Sequence, residues 1–475
     1  MNYKKHSITG VKGLIRGLEG LLEVTILTGI YYIIWANGYN ESHMLSSFSG
    51  YGHLLVIGIY ALLTFVMLSA MDGLLFGYLK ISDMLLSQWL CMIIVNFVTY
   101  WQLCLIGDDI LSAVPMLKVT GINLIATSLC VIVYNWLYHK IYAPKKMVMI
   151  LGRRDAISLK FKMETRPDKY HIAKIISADE DVQSICKQIS DYEAVIINDV
   201  PAKVRNEILK YCYLHQIRTY VTPKLSDIIV RGSTTINLFD TPLLLVKGTG
   251  LTPMQRLFKR LLDLALCLPA VIVASPIMLI VAIAIKLEDG GPVFYKQARA
   301  TLNGEVFNIL KFRSMIVDAE KAGESIPATD RDPRITKVGR IIRPCRFDEL
   351  PQLLNIIKGD MSIVGPRPER VEHMEKYGSE IPEFIFRTKV KGGLTGYAQI
   401  YGKYNTSAYD KLRLDLLYIE NYSLLLDVKL ILQTIRIVLK KESTEGFDIA
   451  EKMDQMTRQI LEDLETEKKE GVAEK

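Results

Sequence analysis

The charged residues of this chain are distributed very unevenly, and this distribution constrains the fold more than any other feature. Residues 54–70 and 121–137 contain no Asp, Glu, Lys or Arg, whereas residues 290–380 are rich in all four. About 20 consecutive apolar residues are enough to cross a bilayer as a helix. We predict a four-helix transmembrane bundle over residues 1–140, with spans at 18–36, 54–71, 85–106 and 121–138. Apolar stretches of this kind exclude an ordinary soluble enzyme and a disordered chain.

Basic residues flank the predicted bundle at both of its ends. They are Lys4, Lys5, Lys12 and Arg16 before the first span, and Lys140, Lys145, Lys146, Arg153 and Arg154 after the fourth. The loop 37–53 contains no Lys or Arg, and the loop 107–120 contains only Lys118. The positive-inside rule therefore places both ends of the bundle in the cytoplasm. The first apolar run lacks a small-residue cleavage site, so we expect no cleaved signal peptide.

The overall composition says more about which ligands the protein binds than about its fold. The chain has 475 residues, of which 23% are charged, and a net charge of +7. This excess is too diffuse to indicate nucleic acid; it fits cytoplasmic surfaces that meet anionic lipid of the inner leaflet and phosphate ligands. The 7 cysteines include no CxxC pair, and we expect reduced, packed thiols.

Residues 141–250 follow a soluble α/β pattern. Five apolar runs alternate with helix-like stretches: VMILG (148–152), HIAKII (171–176), EAVIIND (193–199), RTYVTP (218–223) and PLLLV (242–246). This predicts a Rossmann-like cytoplasmic domain with a parallel sheet and crossover helices. A dinucleotide site requires GxGxxG after the first strand, but Gly152 is followed by Arg-Arg-Asp. We favour a scaffolding or regulatory module, with nucleotide binding as the alternative.

Residues 251–290 contain a fifth apolar stretch with an interrupted centre. Basic residues lie on both sides of it: Arg256, Lys259, Arg260, Lys286, Lys296 and Arg299. Two basic flanks are better satisfied if both stay in the cytoplasm, so we predict a re-entrant helix that breaks at Ser275-Pro276. The Ser275 hydroxyl can satisfy a carbonyl that Pro276 leaves free. A true fifth span is the alternative, and it would place everything downstream outside the cell.

The densest group of chemical motifs lies in residues 291–447, around Asp348 and Glu349. We predict that Asp348 caps a helix whose first turn contains Pro351. The buried face of that helix is predicted to contain Leu350, Leu353, Leu354 and Ile357. Basic residues are frequent nearby: Lys311, Arg313, Arg340, Arg343, Arg346 and Arg367. Paired carboxylates among cations indicate a polyanion site, where one carboxylate attacks phosphorus and the other holds a divalent metal. A capping Asp beside a solvated Glu is the alternative.

A rigid turn, Gly365-Pro366-Arg367-Pro368, follows in the same region. The two prolines restrict the backbone on both sides of Arg367. A guanidinium held this way suits bidentate recognition of a phosphate or a base edge. A plain structural loop explains the residues equally well.

These motifs together resemble a known family. They are KFRSM (311–315), RITKVGR (334–340), DELPQL (348–353), KGDMSIVGPRP (358–368), LTGYAQ (394–399) and the run YIENYSLLLDVKLILQT (418–434). The stretch from Pro253 to Phe447 resembles the bacterial sugar transferases, the monotopic phosphoglycosyl transferases. The whole chain resembles their long form, which initiates capsule or exopolysaccharide repeat units. The resemblance implies a mainly-α monotopic catalytic domain over residues 291–447. The charged residues at the end of the sequence predict an exposed, charged tail at 448–475.

The resemblance also implies roles for residues that match the family's motifs. Asp348 is the expected nucleophile, forming an aspartyl-phosphosugar intermediate as UMP leaves, and Glu349 is the expected partner of Mg²⁺. The expected substrate-binding residues are Pro366, Arg367 and Pro368 for the uridine nucleotide, Lys311, Arg313 and Arg343 for phosphates, and Gln297 and Arg299 in the KQxR stretch. Two departures stand out. Cys345-Arg346-Phe347 precedes the dyad where many members read Thr-Ser-Leu, and Lys403 replaces a frequent Arg.

The implied reaction moves a sugar-1-phosphate from a UDP-sugar, glucose or galactose, to undecaprenyl phosphate. The implied location is the bacterial cytoplasmic membrane, multi-pass, with the catalytic domain on the cytoplasmic face. The bundle and the Rossmann-like module offer surface for a homodimer, and no nucleic-acid partner is expected. A membrane-anchored dehydratase or epimerase is one alternative, although it needs a second dinucleotide fingerprint. A non-enzymatic regulator is another, and a transporter is the least favoured.

Overall fold

A computed structural model describes residues 7–40, 51–152, 157–317, 319, 332–402 and 406–438. The chain divides into two units, Met1–Pro144 and Lys145–Lys475. Lys403 and the charged tail predicted at 448–475 lie outside the described residues.

Four long helices make up most of the described part of the first unit. They are α1 (Ser7–Trp35), α2 (Tyr51–Ala70), α3 (Ile81–Gly107) and α4 (Val114–Ile141), and a π-helical turn, Ala36–Asn40, extends α1. Each is long and apolar enough to cross a membrane, by length and composition. Each covers most of one predicted span, so the positions of the four apolar helices are confirmed.

Polar side chains connect these helices inside the bundle. The Tyr60 hydroxyl donates to Oδ1 of Asn96 at 2.9 Å and accepts from the Asn123 amide at 2.8 Å. Tyr31 stacks on Tyr60 with ring centroids 4.0 Å apart. Hydrogen bonds of this kind hold helices together where lipid removes the hydrophobic driving force between them.

The second unit begins with a four-stranded parallel sheet of order β2-β1-β3-β4. Its strands are β1 (Lys145–Leu151), β2 (Tyr170–Ser177), β3 (Ala194–Asn198) and β4 (Arg218–Val221). The helices between and after them are α5 (Ile157–Glu164), α6 (Val182–Ile189), α7 (Ala202–Leu214) and α8 (Leu225–Arg231). Val148, Ile150, Val195 and Ile197 of the central strands are fully buried in an aliphatic core. The predicted parallel α/β arrangement is therefore confirmed.

The prediction that PLLLV forms a further strand of the parallel sheet is wrong. It forms β6 (Thr241–Leu245), which pairs antiparallel with β5 (Thr234–Leu238) in a separate two-stranded hairpin. Only Phe239 and Asp240 connect these strands, and Phe239 is 96% exposed. A parallel crossover needs about a dozen residues or more, so a two-residue connection permits only a hairpin.

Helix α9 (Pro253–Asp289) runs for 37 residues and contains Pro269 and Pro276. It is one continuous helix, so the predicted break at Ser275-Pro276 does not interrupt it, and it too is long and apolar enough to cross a membrane. The Ser275 hydroxyl donates to the carbonyl oxygen of Ile272 at 2.8 Å. That carbonyl lies four residues before Pro276, which has no N–H to donate to it. The predicted compensation by Ser275 is thus present in the structure. The apolar side chains of the central part, such as Ile272 and Val273, are exposed.

The remaining elements are short. The strands are β7 (Phe294–Ala300) and β8 (Val306–Phe312), antiparallel, and β9 (Ser362–Val364) and β10 (Gly393–Thr395), parallel. The helices are α10 (Lys337–Ile342), α11 (Gln352–Lys358), α12 (Val371–Glu380), α13 (Tyr397–Tyr401), α14 (Ala408–Glu420) and α15 (Leu424–Val438). This region is therefore mainly helical, with two small sheets that carry the site.

Candidate active site

The Asp348-Glu349 pair lies in a 3₁₀ turn, Phe347–Glu349, before helix α11. Arg346 precedes the turn with φ of 57°, in the left-handed region that non-glycine residues seldom adopt. Helix α11 begins only at Gln352, with Pro351 as its N-terminal flanking residue. The prediction that Asp348 caps this helix is therefore wrong: the 3₁₀ turn places its carboxylate too early in the chain.

The predicted buried face of this helix is also partly wrong. Gln352, Asn355 and Ile356 are its buried residues, whereas Leu354 is exposed. Asn355 accounts for part of this difference, because its side chain accepts from the backbone N–H of Leu310 at 2.9 Å. Its amide also donates to the carbonyl of Asn308 at 2.9 Å. The helix is thus attached to β8 through polar bonds, which an apolar periodicity cannot reveal.

Glu349 is the most strongly paired carboxylate of the site. Its Oε1 accepts from Nζ of Lys311 at 2.9 Å and from the Arg367 guanidinium at 2.9 Å. Arg346 lies 3.8 Å from its Oε2. Burial alone would raise the pKa of Glu349, but Arg367, Lys311 and Arg346 outweigh it and hold the pKa well below its usual range. Glu349 is therefore a fixed negative charge.

Asp348 is held quite differently from its neighbour. Its Oδ1 is buried and has no hydrogen-bond partner among the described residues. Burial and then the Glu349 charge raise the pKa of Asp348, while Lys311, Arg343 and Arg346 oppose that rise. A buried carboxylate oxygen without a partner is poorly solvated and available for a new bond.

The GPRP turn contacts the dyad through Arg367, which donates to Glu349. Backbone bonds fix it: the N–H of Gly365 donates to the carbonyl of Thr395, and that of Gly393 to the carbonyl of Pro366, both at 2.9 Å. A Cβ on Gly365 would lie 2.4 Å from the carbonyl oxygen of Lys391, so this close approach requires glycine. The turn thereby presents Arg367 to Glu349.

Two further predicted residues, Gln297 and Arg299 on β7, contact the same turn. The Arg299 guanidinium donates to the carbonyl of Pro368 at 3.0 Å and to Oε1 of Gln297 at 2.6 Å. Burial and then Arg367 lower the pKa of Arg299 to about 10. Pro366 and Pro368 flank Arg367 within the turn, so the structure brings these predicted substrate-binding residues into one cluster.

Arg313 and Arg343 have different surroundings. The Arg313 side chain is buried and donates to Asp289 at 2.6 Å and to the carbonyl of Pro292 at 2.8 Å. This ties the end of α9 to the segment after β8, and the predicted phosphate contact of Arg313 stays a prediction. Arg343 is close enough to Asp348 to act on it electrostatically.

Sequence reasoning missed three residues beside the GPRP turn: Glu369, Arg387 and Asp415. The Arg387 guanidinium bonds Asp415 at 3.0 Å and the carbonyl of Arg367 at 3.0 Å. Glu369 had a signal, since it follows the GPRP motif directly. Arg387 and Asp415 had none, because their pairing joins residues 28 positions apart.

Comparisons with known proteins assign the family. A family model described as bacterial sugar transferase matches residues 254–441. A UDP-N-acetylgalactosamine-undecaprenyl-phosphate N-acetylgalactosaminephosphotransferase from Aeromonas hydrophila is 37% identical over 52% of this chain and 59% of its own. Two relatives are named UDP-glucose:undecaprenyl-phosphate glucose-1-phosphate transferase. The one from Klebsiella pneumoniae is 36% identical over 51% of each chain. The one from Caulobacter vibrioides is 39% identical over 43% of this chain and 79% of its own.

The chain spans about half the length of the first two of these relatives. It covers most of the third, and the similarity exceeds 30% identity. The chain therefore belongs to the bacterial sugar transferase family. The dyad, Lys311 and the GPRP turn all lie inside the matched residues.

Proposed function

We propose that the chain transfers a sugar-1-phosphate from a UDP-sugar to undecaprenyl phosphate, and so initiates exopolysaccharide or capsule repeat units. The observation that carries the proposal is the difference between the surroundings of Asp348 and those of Glu349. Glu349 is neutralised by Lys311 and Arg367, whereas Oδ1 of the adjacent Asp348 has no partner among the described residues. The names of the relatives support the same reaction class.

In the proposed mechanism, an oxygen of Asp348 attacks the sugar-linked phosphorus of the donor. The bond from that phosphorus to the bridging oxygen breaks, and UMP leaves with the bridging oxygen and the electron pair. A phosphate oxygen of undecaprenyl phosphate then attacks the aspartyl-phosphosugar. This forms the lipid diphosphate sugar and regenerates the Asp348 carboxylate. Lys311, Arg343 and Arg367 offset the repulsion between the carboxylate and the phosphates.

A divalent ion fits this site if the phosphates of the bound substrate supply the ligands that the protein does not. Oε1 of Glu349 accepts from Lys311 and Arg367, whereas Oε2 has, within the described part of the chain, only Arg346 at 3.8 Å. Among the described residues, no group of three or more His, Cys, Asp and Glu is placed to hold a metal ion. Mg²⁺ commonly takes one or two carboxylates and completes its shell with water and substrate phosphates. Glu349 would hold it with the donor, and the ion would stabilise charge on the leaving phosphate.

We further propose that α9 is re-entrant, which keeps the dyad at the cytoplasmic face of the membrane, against inner-leaflet lipid. Before the first proline, Cys267 packs with Ile309 of β8. After the second, Val281 and Ile285 pack with Phe312 of the same strand. The exposed apolar segment between them is thus attached at both ends to one polar region, as a helix that enters and returns would be.

The exposed thiol of Cys345 near the dyad tests this topology. A membrane-impermeant maleimide should label Cys345 in inverted membrane vesicles and not in intact spheroplasts, with a Cys345→Ser variant as the background control. Labelling from outside the spheroplasts would mean that α9 is a true fifth span.

UMP release tests the reaction. The purified protein in nanodiscs with Mg²⁺ and undecaprenyl phosphate would be given UDP-glucose, UDP-galactose and UDP-N-acetylgalactosamine, with Asp348→Asn in parallel. We expect release with glucose or galactose and none from the variant. Appreciable turnover by folded Asp348→Asn would refute the nucleophile role. Silence of the folded wild type with every donor would favour a non-enzymatic regulator.

A further inference from the structure

A buried ion pair lies directly behind the GPRP turn. Arg387 belongs to the 3₁₀ segment Pro382–Lys389, and Asp415 belongs to α14. Their side chains are 3% and 1% exposed. Nε of Arg387 donates to Oδ2 of Asp415 at 3.0 Å, and a terminal nitrogen of Arg387 lies 2.8 Å from the same oxygen. Asp415 therefore anchors the guanidinium to a helix of the core.

The rest of the Arg387 guanidinium holds the turn. One terminal nitrogen donates to the carbonyl of Arg367 at 3.0 Å, and the other lies 3.3 Å from Oε1 of Glu369. Burial would raise the pKa of Glu369, but Arg387 and Lys411 outweigh it and lower that pKa, so Glu369 stays charged. Arg387 thus hydrogen-bonds Arg367 and forms an ion pair, without a hydrogen bond, with Glu369 on the other side of Pro368.

The orientation of this guanidinium is fixed by more than its hydrogen bonds. Its central carbon lies 4.8 Å from the centre of the Phe384 ring, a cation–π distance. A planar guanidinium can bond a carboxylate, a carbonyl and a second carboxylate in one plane, which a lysine ammonium cannot do. Burying such a pair costs desolvation energy that apolar residues would avoid. The buried Arg387–Asp415 pair is therefore better explained by the bonds that hold the GPRP turn in place than by a contribution to the stability of the fold.

We propose that Arg387 and Asp415 are positioning residues that fix the Arg367–Glu369 turn and so place Arg367 against Glu349 and the donor's phosphates. The placement of the phosphates rests on the proposed function; the placement of Arg367 does not. Arg367 reaches Oε1 of Glu349 at 2.9 Å, so one residue separates the buried pair from the dyad.

Helix α14 supplies a matched control for Asp415. Asp410 lies on the same helix but bonds Arg413 at 2.9 Å and lies 3.6 Å from Lys162 of α5. Its contacts are thus with its own helix and the Rossmann-like region. Asp410→Asn removes the same charge from the same helix as Asp415→Asn, without changing the residues that hold the turn.

Steady-state and burst kinetics distinguish positioning from mere stability. For Asp415→Asn we expect a higher KM for the UDP-sugar and a fall in kcat/KM of about 10- to 100-fold, because a small misplacement is costly to catalysis. The burst of UMP should keep its amplitude and lose its rate. A purely structural role would lower the amplitude and leave KM unchanged, and that result would overturn the proposal. Asp410→Asn should behave as wild type.

Arg387→Lys is the second variant, in case Asp415→Asn does not accumulate in folded form. It keeps the positive charge beside Asp415 and Glu369 but cannot also bond the Arg367 carbonyl. We expect the same rise in KM. Kinetics equal to wild type in both variants would refute the positioning role.

Hydrogen–deuterium exchange of the peptide covering residues 362–371 tests the placement of the turn without any substrate. Exchange should be faster in Asp415→Asn and Arg387→Lys than in Asp410→Asn. Equal exchange in all three would overturn the proposal even if the enzyme is active. If the wild type releases no UMP but the two variants still exchange faster than Asp410→Asn, the proposed reaction is refuted and the positioning of Arg367 stands.

Discussion

The two halves of the second unit are held together by different interactions. In the Rossmann-like half, Val148, Ile150, Val195 and Ile197 form an aliphatic core under a regular four-stranded sheet. Among its described residues, the half that carries the dyad has only two-stranded sheets, and besides its apolar clusters it has buried or half-buried ion pairs that join distant segments. These pairs are Lys259–Asp427, Lys311–Glu349 and Arg387–Asp415.

The difference shows where this chain uses charge inside the protein. A sheet satisfies its backbone internally and needs only apolar packing between layers. Turns and short helices that present the proposed polyanion site must hold cations at fixed positions, and buried or half-buried carboxylates do this here. We therefore expect that removing a paired charge in the half with the dyad strongly reduces stability or activity. A conservative apolar substitution in the Rossmann-like half should reduce stability only slightly.

The largest loss of stability should follow removal of Lys259. Its Nζ bonds Oδ2 of Asp427 at 2.6 Å and the Tyr418 hydroxyl at 3.1 Å. Lys259→Met leaves Asp427 buried without its counter-charge, which typically costs about 3–5 kcal/mol. The measurement is the free energy of unfolding in detergent. Lys286→Met, at the exposed end of the same helix, should change it little, and equal effects would contradict the role of burial.

Removing the Glu349 charge should reduce activity more than stability. Glu349→Gln leaves Lys311 and Arg367 without their shared anion and weakens the proposed Mg²⁺ site. We expect a loss of activity on the order of 100-fold. The test is turnover as a function of Mg²⁺ concentration, with exposed Glu375→Gln as control. An unchanged Mg²⁺ dependence would count against the metal role.

A pH dependence should distinguish the charged half. Burial raises the pKa of Asp415 to about 6, Glu369 adds to the rise, and Arg387 and Lys411 oppose it. This pKa lies above the unfolded value of about 3.9. The protonated Asp415 side chain therefore stabilises the folded state fully below about pH 4, and this stabilisation is lost as the pH rises through 6.

The wild type should therefore lose stability more steeply than Asp415→Asn between pH 4 and 6. The difference in slope is at most about 1.4 kcal/mol per pH unit. Melting temperatures of both proteins across this range check it. Parallel curves would mean that Asp415 does not titrate there.

The smallest effect should come from Ile197→Val in the aliphatic core. Removing one buried methylene group typically costs about 0.5–1.5 kcal/mol. UMP release should not change, because Ile197 lies in the Rossmann-like sheet and away from the dyad. Chemical denaturation measures the first quantity, and altered kinetics would show that the two halves are coupled.

Local patterns in the sequence predicted the regular elements. Long apolar runs, three of them without any charge, located the four long helices, and apolar runs alternating with helix-like stretches located β1 to β4. The prediction failed at Leu243–Leu245, because the preceding segment Thr234–Leu238 pairs with them in an antiparallel hairpin. It failed again at α11, where buried Gln352 and Asn355 break the expected apolar face.

The site was predicted only where its residues are close in sequence. The Asp348-Glu349 pair and the GPRP turn are local motifs, so both could be identified. Arg387 and Asp415, or Lys259 and Asp427, meet only after folding and share no spacing rule. The left-handed Arg346 could not be foreseen either, since its conformation follows from the turn that it enters.

The Lys259–Asp427 pair also constrains how the chain is made. These partners are 168 residues apart, so a ribosome adding about 5–20 residues per second separates their synthesis by roughly 8–34 s. During that interval the Lys259 ammonium lacks its Asp427 partner, and Asp263, one turn further along α9, is the nearest carboxylate already made. A lone charge strongly resists entry into hydrocarbon. The order of translation therefore disfavours entry of the first turns of α9 into hydrocarbon before α15, which carries Asp427, has been made.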